Sequence, residues 1–170
     1  MSHPETSPAI PTRILVPIDF SASSRAALDT AQELAARFHA EVVMLHVVPQ
    51  FPAATIPDSI SEAALMERAR EEAEHKLEIT EKALAANGIT TRSIVEIGVD
   101  VARRIIDVVE REKTDLLVIS THGLSGWYPL VFGSTAEKII KMAHCPVLLL
   151  RTPKPESDRE ATTGRFMEWR

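Results

Sequence analysis

Five short apolar runs, separated by stretches of helical period, constrain this chain more than any other feature. Arg13 to Ile18, Glu41 to Val48, Thr90 to Ile97, Leu116 to Ile119 and Val147 to Leu150 are rich in Val, Ile and Leu. Runs of that length and composition suit strands buried on both faces. Between them, apolar residues recur at helical spacing. Ala27, Leu28, Ala31, Leu34, Ala35 and Phe38 form one stripe, and Val101, Ile105, Val108 and Val109 another. Ala136, Ile139, Ile140 and Ala143 form a third. The span from about Ser61 to Ala86 is dense in Glu, Lys, Arg and Ala, with a thin stripe at Leu65, Ala69, Ala73 and Leu77. Its charges read as a solvated face with i,i+4 pairs. Strand, helix, strand is a βαβ unit, which predicts a parallel sheet with right-handed crossovers. The third run is the most polar and suits a sheet edge.

Helix boundaries are also marked. Ser21 to Ser24 and Asp100 are candidate caps. Ser59 with Glu62, and Ser134 with Glu137, have the S-x-x-E spacing of a capping box. Asn87-Gly88 is a helix stop. A chain of 170 residues suggests one domain with a real core, expected over residues 13–151. Residues 1–12, with three prolines, read as a disordered lead, and 152–170 as a flexible tail that ends with Phe166, Met167 and Trp169. No repeat of 20–50 residues is visible.

The net charge of −5 argues against a general nucleic-acid binder, which carries a basic surface. It does not argue against a nucleotide, because backbone N–H groups can hold phosphate in an acidic protein. The single cysteine, Cys145, excludes an intramolecular disulfide and reads as buried and inert. No C-x-x-C or His/Cys cluster suggests zinc. No secretory h-region and no membrane-length apolar run are visible, so a cytoplasmic protein without membrane contact is expected.

The chemistry gathers after the fourth run. Leu116 to Ile119 ends in Ser120-Thr121-His122-Gly123, with further glycines at 126 and 133 before Ser134. Strand, glycine-bearing loop and helix start leave several N–H groups unpaired where the helix dipole favours negative charge. Glycine lets a phosphate approach the backbone. A capping serine and turn glycines would give the same pattern without a ligand. Neither G-x-G-x-x-G nor G-x-x-x-x-G-K-[ST] occurs. His122 has no sequence-linked partner to orient it as a base, so it reads as structural or as a ligand neighbour. His46, inside a strand, reads as a satisfied core histidine. Trp127, Tyr128 and Phe132 can cover the loop, meet a partner or simply pack.

Ser120-x2-Gly123-x9-Gly133-Ser134 resembles the G-x2-G-x9-G-[ST] signature of the nucleotide-binding branch of the universal stress protein family. Arg13 to Ser21 resembles the family's first strand and Asp turn. Leu45-His46-Val47 is similar to the end of its second strand, and Cys145 to Leu150 to its last strand. The resemblance covers roughly Arg13 to Arg151 and departs in one place, where Ser120 stands for the first signature glycine. It implies a Rossmann-like α/β fold: an open parallel five-stranded sheet of order 3-2-1-4-5 with helices on both faces. In such a sheet the crevice opens between strands 1 and 4. The resemblance further implies contact of Pro17 and Asp19 with ribose or adenine, and of the Val47 backbone with adenine. It sets Ile119 and Ser120 along the ribose and Gly123, Gly133, Ser134 and Thr135 at the phosphates. The implied ligand is ATP, with or without Mg2+, and the implied partner is a second copy paired through Val147 to Leu150.

The chain has no sequence-linked nucleophile–base pair or metal cluster, and no S-G-G-x-D-S after the first strand. A nucleotide-binding stress-response regulator is therefore expected over an efficient enzyme. A dimeric scaffold that binds no nucleotide and a slow ATP hydrolase are the alternatives, and Ser120 is the feature that leans toward the scaffold.

Overall fold

The computed structural model describes residues 10–50, 61–121 and 133–151. The expected lead (residues 1–9), Ser59, the tail from Thr152 onward, and His122, Gly123, Gly126, Trp127, Tyr128 and Phe132 lie outside the described residues.

The elements alternate as β1 (Arg13–Pro17), α1 (Ala22–Phe38), β2 (Glu41–Pro49), α2 (Glu62–Ala86) and β3 (Thr91–Gly98), then α3 (Val101–Arg111), β4 (Leu116–Ser120), α4 (Ser134–Met142) and β5 (Val147–Leu150). The sheet is parallel in the order β3-β2-β1-β4-β5, as the resemblance implied. β3 and β5 are the edges. Most of β3 and all of β5 are half-buried.

Strand side chains alternate between faces, and two cores follow. Ile14, Val16, Val42, Met44 and Val118 pack with Ala27, Leu28, Ala31 and Ala35 of α1 and with Leu77 and Leu84 of α2. Leu15, Val43, Leu45, Val47, Leu117 and Ile119 pack with Ala102, Ile105, Ile106, Val108 and Val109 of α3 and Ala136 and Ile139 of α4. Central strands covered on both faces must be apolar at nearly every position, which explains their continuous runs.

The caps are built as expected at two helices: Ser21 accepts from Ser24 N and Asp100 from Arg103 N. At α2 the cap is Ser61, which accepts from Ala64 N, where the spacing pointed to Ser59. α4 departs from the capping-box reading. Gly133 is its N-cap, Ser134 is the first helical residue, and no side chain caps it. The faces also shift at the ends of several stripes. On α2, Met66, Ala73, Leu77 and Leu84 are buried, while Leu65 is exposed. Phe38 and Ile140 are exposed as well. Cys145 is a free thiol, half-buried rather than buried, and burial pushes its pKa up.

Charge pairs clamp the amino-terminal end of the sheet. Glu41 takes Arg13 Nε at 2.7 Å and Arg92 Nε at 2.8 Å. Arg92 also reaches Glu112 at 2.6 Å, and Asp115 accepts from Thr12 N and Arg13 N. Among the described residues, no helix is long and apolar enough to cross a membrane.

Candidate functional site

The sheet opens where strand order reverses. β1 and β2 register over five pairs, Arg13↔Glu41 to Pro17↔Leu45. β1 and β4 register only at Ile14↔Leu116 and Leu15↔Leu117. α1 leaves β1 toward one face and α4 follows β4 on the other, which opens a crevice between the strand ends. A cavity of about 390 Å3 lies there.

Pro17, Asp19, Val47, Ile119, Ser120, Gly133, Ser134 and Thr135 all line it. These are the sequence candidates except Gly123, which is outside the described residues. The structure adds Ser24, Val101 and Ile105, which the sequence pattern assigned to caps or core, and Thr121 of the loop motif. Thr121 could have been suspected as the neighbour of Ser120. Val101 and Ile105 enter only because α3 packs beside α4.

Each end of the cavity has its own construction. After β1, the Asp19 carboxylate accepts from Ser21 N at 3.0 Å and from Ser21 Oγ at 2.5 Å. This is an Asx turn that leads straight into the cap of α1, so Asp19 is held half-buried at the strand end. Phe20 takes the bend with φ of 62°, a backbone that is costly for a bulky side chain. Its ring lies 4.7 Å from that of His46. His46 Nδ1 is 2.6 Å from the Ile18 carbonyl. A carbonyl only accepts, so Nδ1 carries the hydrogen. Burial is the largest influence on this imidazole and pushes its pKa below 6.5. The histidine thus ties β2 to the residue before Asp19; it is satisfied as its sequence reading expected, but half-buried on the cavity wall rather than in the core.

After β4, Gly133 N donates to the Thr121 carbonyl at 2.9 Å, and Glu137 N to the Gly133 carbonyl at 3.0 Å. The first contact returns the chain to the end of β4. The second starts α4 beside the cavity, with the N–H groups of its first turn at its opening. Among the described residues, a Cβ on Gly133 would meet the Thr121 oxygen alone, at 3.4 Å. Its φ of −55° suits any residue. The backbone therefore does not require glycine here.

The cavity wall is apolar over Leu45, Val47, Val101, Ile105, Ile119 and Ile139. Its polar groups sit at the two ends, Asp19 with Ser24 and Ser120 with Gly133 to Thr135. Among the described residues, no group of three or more His, Cys, Asp or Glu is placed to hold a metal ion.

The model of the universal stress protein family matches residues 11–151. The chain belongs to the universal stress protein family. A relative in it, universal stress protein MJ0531 of Methanocaldococcus jannaschii, is 35% identical over 144 residues, 85% of this chain and 84% of that protein. The solved structure of MJ0577, from the same organism, superposes with a TM-score of 0.76 at 26% identity. It covers 86% of this chain and all of that one. A universal stress protein family member from Arabidopsis thaliana, solved with AMP bound, superposes with a TM-score of 0.57 at 21% identity, over 84% of this chain and 93% of that one. That last likeness is one of fold.

Proposed function

We propose that this universal stress protein binds an adenine nucleotide, ATP above all, between β1 and β4 and acts as a nucleotide-dependent regulator. The observation that carries the reading is the convergence of an acidic turn and an uncapped helix start on one apolar cavity. A flat base suits the apolar wall. The Asp19 carboxylate is an acceptor suited to ribose hydroxyls or an exocyclic amine. The first turn of α4 offers N–H donors and a positive dipole end to phosphate. Gly133 supports this reading most directly. Neither its dihedral angles nor the described residues around it demand glycine, whereas a phosphate held on the backbone does. Ser120 adds a hydroxyl beside the ribose position in place of the signature glycine. AMP in the Arabidopsis thaliana family member supports the capacity of this fold for such a ligand.

The partner in this reading is a second copy of the chain, joined through β5. Val147 to Leu150 has no charge or proline, and a bare edge of that kind invites pairing.

The test has two arms. Protein denatured directly after purification should release an adenine nucleotide, identified by chromatography and mass. Stripped protein should rebind ATP in a calorimetric titration with one site per chain. Absence of both, at millimolar ATP with and without Mg2+, would make the nucleotide-free dimeric scaffold the better account.

A further inference from the structure

The cavity between β1 and β4 continues into a second recess of about 370 Å3. Val101, Ser134 and Thr135 line both. The second recess lies between the starts of α3 and α4, and Lys138 forms part of its wall. Among the described residues that line the two recesses, Lys138 is the one lysine or arginine. It follows Ser134 by four positions and Thr135 by three, so it shares their face of α4. Helical side chains lean toward the amino terminus, which carries its ammonium back toward that first turn. There Nζ lies 3.1 Å from Asp100 Oδ2. Both side chains are about half exposed, at 58% and 50%. Asp100 has a separate task through its other oxygen, which accepts from Arg103 N and caps α3.

We propose that Lys138 makes this site selective for a di- or triphosphate chain, by leaving Asp100 to pair with the terminal phosphate. The inference rests on the nucleotide reading and adds to it the length of the phosphate chain. Phosphate at Gly133 to Thr135 meets N–H groups and the Ser134 and Thr135 hydroxyls, with no cationic side chain among the described residues that line that cavity. Gly133 lines only the first cavity and Lys138 only the second recess. A single phosphate at Gly133 therefore stays in the first, and the lysine meets the phosphates beyond it. The exchange of partners is favourable because an exposed lysine–carboxylate pair holds weakly, whereas a terminal phosphate carries close to two charges. Asp100 then acts as the competitor that keeps Lys138 in place without ligand. Its charge also opposes any anion entering the recess.

The experiment compares dissociation constants of AMP, ADP and ATP, without Mg2+, for the full chain and two variants. Lys138→Met keeps the stem and removes the charge. Asp100→Asn keeps a capping oxygen and removes the competing carboxylate. The expected results are ATP tighter than AMP in the wild type, and about a tenfold loss for ATP in Lys138→Met. AMP should change less than twofold in both variants, and Asp100→Asn should tighten ATP severalfold. Equal loss of AMP and ATP in Lys138→Met would overturn the proposal, as would no change in either. Wild-type AMP affinity equal to that of ATP would overturn it too, while leaving the nucleotide reading intact. Failure of all three nucleotides to bind at millimolar concentration would overturn both. Thermal unfolding of each variant without ligand, expected within about 2 °C of wild type because the pair is exposed, checks that the fold is unchanged.

Discussion

Replacing Gly133 should separate the fold from the ligand. A Cβ there contacts one oxygen at 3.4 Å, and φ of −55° with ψ of 145° is open to L-residues. Gly133→Ala therefore displaces none of the described residues. Two small effects remain. Alanine is the poorer N-cap, at a cost of roughly 0.5–1 kcal/mol. It also restricts the unfolded chain, which stabilises by about 0.4–1 kcal/mol. The sum is within about 0.5 kcal/mol of zero, or about 1–2 °C in Tm for a chain of this size. Ligand binding responds differently. ATP at about 100 times Kd should stabilise the wild type by about 2.7 kcal/mol, a rise of about 5–10 °C. The alanine methyl stands where a phosphate oxygen meets the backbone, and Gly133→Val adds two further methyl groups. The ATP-induced rise should shrink in the alanine variant and fall below about 2 °C in the valine variant. Thermal unfolding followed by circular dichroism, with and without ATP, reads both quantities. A valine variant that keeps the full rise refutes the phosphate position. An alanine variant that loses more than about 5 °C without ligand refutes the claim that the fold does not need this glycine.

Asp19→Ala should weaken ATP at least tenfold while costing about 1 kcal/mol of stability for the lost turn bonds; calorimetry and melting together check it, and unchanged affinity contradicts it. Glu41 governs acid stability. Burial pushes its carboxyl up, but hydrogen bonds from Arg13 and Arg92 outweigh this and hold its pKa below 4.5. Its stabilisation is thus complete above the unfolded-state value and is lost as pH falls through the lower folded value. Glu41→Gln should cost about 1–2 kcal/mol at pH 7 and flatten the acid limb below about pH 4.5; an unchanged acid limb counts against the clamp. Light scattering should give twice the 18.8 kDa chain mass, and Leu149→Pro should give the monomer. Leu117 N and Thr121 N bond to the Pro146 and Leu150 carbonyls, so even-numbered residues of β5 face β4 and Leu149 N–H faces outward. A wild-type monomer, or a dimer untouched by this proline, refutes pairing through β5.

Local chemistry made the elements of this protein legible, because central strands such as Val42 to Leu45 must be apolar on both faces. The order of those strands was not local information; it came with the signature around Ser120, Gly133 and Ser134. α2 shows why faces are harder to read than elements. Leu65 and Met66 are adjacent, and in a helix built of Ala, Glu and Lys a rotation of one residue changes which is buried. Met66 is the buried one. At α4, S-x-x-E spacing pointed to Ser134 as the cap, but the Gly133 carbonyl takes Glu137 N and begins the helix one residue earlier. Asp19 and Gly133 could be named from sequence because turn and glycine chemistry mark them. Ser24, Val101 and Lys138 could not, because only the packing of α1, α3 and α4 brings them to the cavity and its second recess.

The central claim is that an adenine nucleotide occupies the crevice between β1 and β4, and an amide-resolved NMR titration with ATP tests it most directly. The account predicts saturable shifts at Asp19, Val47, Ile119, Ser120 and Gly133 to Thr135, with the amino-terminal ends of the strands around Glu41 and Arg92 unmoved. No shifts at millimolar ATP, or shifts gathered on the outer face of α2 instead, would contradict it.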